Sequence, residues 1–339
     1  MTSQPTASST AAWMPAIGAL FLALFFWALI PLFLEAFTHW LDPWTVNGIR
    51  YFFAAAFWLP FVIRDLRRLP AADRRALCRA TLPLALTHMA CQICYGLAPY
   101  YNNATLLNFG CRLSIPFTTL FGFWLLQRER PLARKPAFWT GLAFALGGFF
   151  LMFEQGFGTD STSKPGMSLL LGYAILWGLY VVLVRRNLSA WPAHLSYGLI
   201  SIWASVLMLL LMTLFGRPQV LLHLPISQWG LLFLSAMIGL AWSHVLYYRA
   251  IRVIGPIASE GGMLLIPFQT ALMAHLLFGE HLRPVQWAAG LLLLLGCALL
   301  LTARYLVHRE RPHPAPYRKQ NASSKPALRE PSRHSILRL

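Results

Sequence analysis

The sequence predicts an all-α integral membrane protein of ten transmembrane helices built as two inverted five-helix repeats. Composition, a repeated motif and the placement of basic residues carry that expectation. Of 339 residues 57% are hydrophobic and only 12% charged, whereas a soluble chain carries about a quarter charged residues. Residues 113–119 read Leu-Ser-Ile-Pro-Phe-Thr-Thr and residues 264–270 read Leu-Leu-Ile-Pro-Phe-Gln-Thr. Each copy is followed 13 residues after its proline by a glutamate, Pro116 to Glu129 and Pro267 to Glu280. Trp27 and Trp177, Trp139 and Trp287, and Gly147 and Gly296 keep the same register, 148–150 residues apart. A duplicated, proline-marked apolar unit is the pattern of a secondary transporter.

About 20 apolar residues cross a bilayer. Ten segments reach that length: 14–36, 44–63, 82–102, 106–126, 136–153, 167–185, 194–216, 228–247, 257–279 and 285–306. Continuous apolar runs favour helices over barrel strands, which alternate. Lys and Arg then orient them. The loops after even-numbered spans, together with the tail from Arg304, hold 23 basic residues against three (Lys164, Arg217, Arg283) on the other side. Both termini are therefore expected in the cytoplasm. Five spans per repeat is an odd number, so the second repeat enters from the opposite side.

The expected organisation is a cytoplasmic segment 1–13, a first repeat 14–153, an external linker 154–166, a second repeat 167–306 and a disordered basic tail 307–339. The linker is rich in Gly and Ser, and the tail in Pro, Arg and Ser, suited to anionic lipid headgroups. Residues 1–13 lack the basic stretch of a cleavable signal. The net charge of +17 would point to nucleic acid in a soluble chain. Here its placement speaks for topology, and no nucleic-acid partner is expected. Five cysteines in mostly apolar segments read as apolar fillers rather than a disulfide framework.

Arg50 and Arg112 are the costliest residues, because a charge inside the bilayer costs about 2.5–3.5 kcal/mol even on permissive scales. Each lies about six residues inside its span. They are candidates to hold a substrate carboxylate or phosphate; for Arg50 the alternative is a structural pair with Glu35. Tyr95 is the deepest residue of the Tyr95, Tyr100, Tyr101, Asn102, Asn103 cluster and the one expected at a cavity; an interfacial aromatic belt is the alternative for the cluster. His88, His244 and His275 are intramembrane, where a histidine either relays a coupling proton or stays neutral between helices. His88-x2-Cys91-x2-Cys94 fans across too much of a helix to hold one metal, so no metal or other cofactor is expected. Glu129, Glu260 and Glu280 read as structural helix-end acids. Pro116 and Pro267 are expected to kink their helices, shaping a cavity and giving a gate somewhere to flex.

Together these residues resemble the drug/metabolite transporter superfamily, EamA type. The resemblance rests on Trp27-Ala28 and Trp177-Gly178, on Ala250 to Pro267, on the paired proline–glutamate spacing, and on Gly141/Gly147 and Gly290/Gly296. It covers about residues 15–306. It implies that helices 1–4 and 6–9 line a central cavity, adding Trp27 and Trp177 to the candidate binding residues. It also implies a non-enzymatic secondary transporter in a bacterial inner membrane, exporting or exchanging a small polar metabolite such as an amino acid. A sugar phosphate, nucleotide sugar or lipid-linked group is the alternative cargo, and an intramembrane enzyme or receptor the alternative class. Tyr100–Asn103 and Arg112 depart from the pattern, having no equivalent in the second half, and point to a particular substrate.

Overall fold

The computed structural model of the chain describes residues 7–125, 127–154, 164–188, 191–244, 246–247, 250 and 262–309. Their regular elements are helices: α1 (Ala7–Thr38), α2 (Pro43–Arg68), α3 (Ala71–Leu97), α4 (Ala104–Cys111), α5 (Ser114–Leu125), α6 (Pro136–Glu154), α7 (Lys164–Leu188), α8 (Ala193–Phe215), α9 (Ile226–Ala236), α10 (Ile266–Phe278) and α11 (Pro284–Arg309). A π-helical turn, Met237–Trp242, continues α9. Among the described residues five helices are long and apolar enough to cross a membrane, and Pro136–Met152, Ile226–Trp242 and Met263–Phe278 are shorter apolar helices. Pro256, Glu260, most of the linker, the tail beyond 309 and the Glu129 side chain lie outside the described residues.

Local chemistry sets the helix ends. Asp42 accepts the Trp44 and Thr45 N–H groups at 3.0 and 2.9 Å and Pro43 opens α2, so two orphan donors are satisfied at once. Arg67 and Arg68 close the same helix, where positive charge meets the free carbonyls. Gly279, at φ 66°, ends α10, a left-handed cap that glycine adopts without a Cβ penalty.

Helices at equivalent positions of the two halves pack against each other and run antiparallel. The start of α2 meets the end of α8, because the Arg217 N–H donates to Asp42 at 3.0 Å. The opposite ends meet where His194 Nε2 lies 2.8 Å from Asp65. α6 and α11 cross backbone to backbone: a Cβ on Gly141 would lie 2.8 Å from the Gly296 carbonyl, and one on Gly148 2.5 Å from the Leu293 nitrogen. Rising numbers on α6 thus face falling numbers on α11. Small residues at such a crossing let helices associate where lipid supplies no hydrophobic drive. α1 packs on α10 and the π turn, while α7 packs on α5 and α3, an exchange of partners that a two-fold relation requires.

The exterior is apolar, and polar and charged side chains are set within a largely apolar interior. Leu276, Trp124, Leu214 and Phe21 face outward at 59–70% exposure, whereas Arg50, Asn108 and Thr270 are buried. That inversion of the soluble pattern suits a lipid solvent.

The continuous span expected over 106–126 is broken between α4 and α5 at Arg112–Leu113. The break falls four residues before Pro116 because a proline removes the i to i−4 hydrogen bond and its ring crowds the carbonyl it leaves unbonded. That carbonyl belongs to Arg112. Around it the bonds tighten to i to i−3: Arg112 N–H to Phe109, Leu113 N–H to Gly110 and Ile115 N–H to Arg112, each 3.0 Å. Pro267 likewise sits in the first turn of α10 rather than at a kink within it. We expect Gly296→Leu to lower stability by at least about 1–3 kcal/mol through overpacking. Gly147→Leu, where a Cβ meets nothing within 4 Å, should stay within about 0.5 kcal/mol; thermal unfolding in detergent measures both.

Candidate functional site

Both halves contribute to one cavity of about 310 Å³. All seven sequence candidates, Arg50, Arg112, Tyr95, His88, Trp27, Trp177 and His244, border it. Position is what the structure gives them. His275 lies apart, with its ring 4.6 Å from that of His281.

Arg112 sits at the helix break, where the main chain carries two unusual carbonyls. Its own carbonyl, denied an i to i−4 donor by Pro116, accepts the Ile115 N–H at 3.0 Å and the Cys297 thiol at 3.6 Å. Its guanidinium reaches the second half: Nη1 donates to the Met263 carbonyl at 3.4 Å. Met263 is four residues before Pro267, so that carbonyl likewise loses its i to i−4 donor and takes the Ile266 N–H in a tighter turn. Nε and Nη2 donate to the Asn108 carbonyl and Oδ1 at 3.4 and 3.3 Å. Asn108 in turn donates to Thr270 at 2.5 Å, and Thr270 to the Ala28 carbonyl at 2.7 Å. One chain of hydrogen bonds therefore crosses α4, α10 and α1.

Arg50, 2% exposed, does not pair with Glu35. Its Nε donates to Ser235 Oγ at 3.0 Å and its Nη2 to the Ser235 carbonyl at 3.5 Å. Glu35 is taken by the N-terminus of α4, where it and Glu280 both accept the Ala104 N–H and Glu280 also accepts Thr105 at 3.3 Å. Four N–H groups are orphaned at any helix start and the dipole there favours anions. α4 begins inside the bundle, so the demand is met by two carboxylates and by Asn103, which accepts Leu106 N–H at 2.9 Å. The 100–103 segment is thus explained locally. Tyr100 donates to the Leu41 carbonyl at 2.5 Å, Asn102 to the Ala98 carbonyl at 3.0 Å, and Tyr101 is 44% exposed. Its lack of a counterpart in the second half reflects scaffolding and carries no information about cargo.

Two aromatic–histidine clusters face the cavity. His88 Nε2 lies 3.0 Å from the Tyr51 hydroxyl, and its ring is 4.8 Å from Tyr180 and 6.2 Å from Trp177. His244 stacks on Tyr197 at 4.2 Å and meets Trp27 edge-on at 5.4 Å, with Tyr247 5.1 Å from Trp27. Each tryptophan touches the histidine of the other half. The π turn supports the second cluster, because a π turn shifts carbonyls off the helical ladder. Trp27 Nε1 takes Gly239 at 3.3 Å and the Tyr197 hydroxyl takes Leu240 at 2.7 Å. Nδ1 of His88 and of His244 is buried without a partner.

The EamA-like transporter family matches residues 14–154 and again 164–302. The chain belongs to that family. An uncharacterized protein of Pseudomonas aeruginosa, PA1977, is 29% identical over 264 residues, covering 78% of this chain and 86% of that protein. A solved crystal structure with 16% identity shares the fold at a TM-score of 0.56, covering 88% of this chain and 99% of the other. The cavity is therefore read as the cavity of an EamA-like membrane transporter.

Sequence reasoning missed the tyrosines that seat the histidines, Tyr51, Tyr180 and Tyr197, and Tyr247 beside Trp27, as well as Asn108 and Ser235. The available signal was Trp177-x2-Tyr180, one helical turn apart on a cavity-lining helix. We expect Ser235→Ala to cost about 1–3 kcal/mol by leaving the buried Arg50 guanidinium short of an acceptor. Adding Arg50→Met should recover most of that loss; chemical unfolding of the single and double variants in detergent checks both.

Proposed function

We propose that this EamA-like protein is a secondary transporter that exports or exchanges a small polar metabolite across a bacterial inner membrane by alternating access. The observation that carries the reading is the single cavity of about 310 Å³, bordered by Arg50 and Arg112 and shared by both halves. A buried guanidinium is costly, and here its acceptors are hydroxyl, amide and carbonyl oxygens alone. That arrangement suits a site completed by an anionic group of the cargo. Antiparallel packing of α2 on α8 and α6 on α11 supports an inverted repeat with ten spans. The repeats would rock about the cavity, the α4–α5 break and the start of α10 supplying the flexure. The basic loops favour cytoplasmic termini. His88 and His244 are the residues through which a proton could couple to the cycle.

The cavity volume lies at the low end of ligand pockets, which favours a small metabolite over a nucleotide sugar or lipid-linked group. Purified protein reconstituted in liposomes tests this by counterflow against amino acids, sugar phosphates, nucleotide sugars and organic acids. We expect transient accumulation of at least one small anionic or zwitterionic compound. Arg112→Ala should cut its initial rate at least about tenfold, the size of a lost charge-assisted hydrogen bond. Counterflow of no compound, or an Arg112→Ala rate equal to that of the parent, defeats the reading.

A further inference from the structure

We propose that the cargo is an organic anion built on a flat ring and lacking an ammonium group, an arylacetate-sized carboxylate being the simplest member. The inference rests on the transporter reading and narrows it to a chemical class.

Charge decides the first half. Arg50, Arg112 and Arg304 border the cavity, and none of the other described residues bordering it is Asp or Glu. Arg112 holds three neutral acceptors in long bonds of 3.3–3.4 Å, leaving two of its five N–H donors to other partners. Arg50 holds only Ser235. Glu35 and Glu280 are engaged at the start of α4. A carboxylate entering this space would meet the guanidinium charge of Arg50 and Arg112, which donate to neutral oxygens, and at low dielectric that attraction is strong. An ammonium on the same molecule would meet the same charge as repulsion, with no described carboxylate to receive it. The site therefore selects against zwitterions as well as cations.

Wall shape decides the second half. Trp177 stacks on Tyr173 at 5.9 Å with 17° between planes, and Tyr173 lies 5.3 Å from Tyr95. Trp27 stands with the other half's histidine cluster. Rings on both sides favour a flat, polarisable body between them over an aliphatic one of equal size. His88 Nδ1 and His244 Nδ1, both buried and unpartnered, supply a polar atom on each side, able to donate or accept according to tautomer. A cavity of about 310 Å³ accommodates one ring with a short acidic arm.

Four probes of near-equal size separate these requirements: phenylacetate, phenylalanine, cyclohexylacetate and phenethylamine. Their binding to the purified full-length protein in detergent can be measured by calorimetry, with counterflow run in parallel on the same preparation in liposomes. Phenylacetate should bind most tightly. Phenylalanine should be at least about tenfold weaker, as charge repulsion at an effective dielectric of roughly 20 predicts. Cyclohexylacetate should be about three- to tenfold weaker, and phenethylamine should not compete. Trp177→Leu, whose folding is checked by its melting temperature, should shrink the gap between phenylacetate and cyclohexylacetate while preserving that between phenylacetate and phenylalanine. Phenylalanine binding as tightly as phenylacetate, or no binding of any aromatic anion while another class is carried in counterflow, overturns the proposal and leaves the transporter reading standing. Tight phenylacetate binding without counterflow upholds the ligand class and counts against transport.

Discussion

Two prolines without N–H groups set the interior of this molecule. Pro116 and Pro267 each deny the carbonyl four residues earlier, those of Arg112 and Met263, its i to i−4 donor, and each carbonyl takes an i to i−3 N–H instead, from Ile115 and Ile266. In most helices such a loss bends the helix. Here each carbonyl also accepts a side-chain donor from the other half of the protein. The Arg112 side chain donates to Met263, and the Arg112 carbonyl receives Cys297 from α11. The same residue is thus both the site of the helix break and the bond across it. Shared chemistry leaves each carbonyl open to a second donor, and the one unshared side chain takes the second of them.

The rest of the interior follows from having started a helix inside the bundle. Breaking span 4 at Arg112 makes α4 a helix of eight residues whose N-terminus is also enclosed, so its orphan donors must be met by protein. Glu35 from α1 and Glu280 from the end of α10 converge there. That explains why an acid on α1 is not available to Arg50, and why Arg50 leans on Ser235 of α9 instead. A buried charge left with neutral partners lowers stability, and Arg50, together with the half-buried Arg112, is such a charge here. On the proposed reading an anionic cargo would use this, because a carboxylate neighbour would compete with it.

The sequence made some of this legible and hid the rest for identifiable reasons. Proline and intramembrane arginine speak locally: their cost does not depend on the neighbours, so Pro116, Pro267, Arg50 and Arg112 stood out in isolation. The location of the break did not, since a proline is read at its own position while the damage falls a turn earlier. The alternative pairing of Arg50 with Glu35 rests on their nearness to one end of the bundle, which says nothing about azimuth around it. The twin histidine clusters were hidden by register. Conserved landmarks of the two halves stand 148–151 residues apart, but His88 and His244 are separated by 156, so no fixed offset pairs them. Their tyrosine seats lie on apolar helices where a tyrosine carries no periodic signal. The 100–103 segment misled in the opposite direction. Polar residues near a membrane surface read as a binding feature, when a buried helix start simply needs acceptors.

Crosswise packing gives these clusters a mechanical meaning. Trp27 belongs to the first half but rests on His244 and the Gly239 carbonyl of the second; Trp177 belongs to the second half but rests on His88 of the first. Neither half can move against the other without changing both contacts, whereas α2 with α8 and α6 with α11 can turn about their own packed axes. Gly141, Gly148 and Gly296 hold the latter pair at backbone contact, a stiff support with little side-chain freedom to absorb motion. On the proposed alternating-access cycle, displacement would fall where the helical ladder is already interrupted: the Arg112–Leu113 break, the start of α10 and the π turn at Met237–Trp242. Arg112, Met263 just ahead of α10, and Gly239 and Leu240 of the π turn border the cavity. On the proposed transport cycle, motion and cargo contact would fall on neighbouring residues, so a ligand bridging Arg112 to the ring clusters would have direct leverage over the relative position of the two halves.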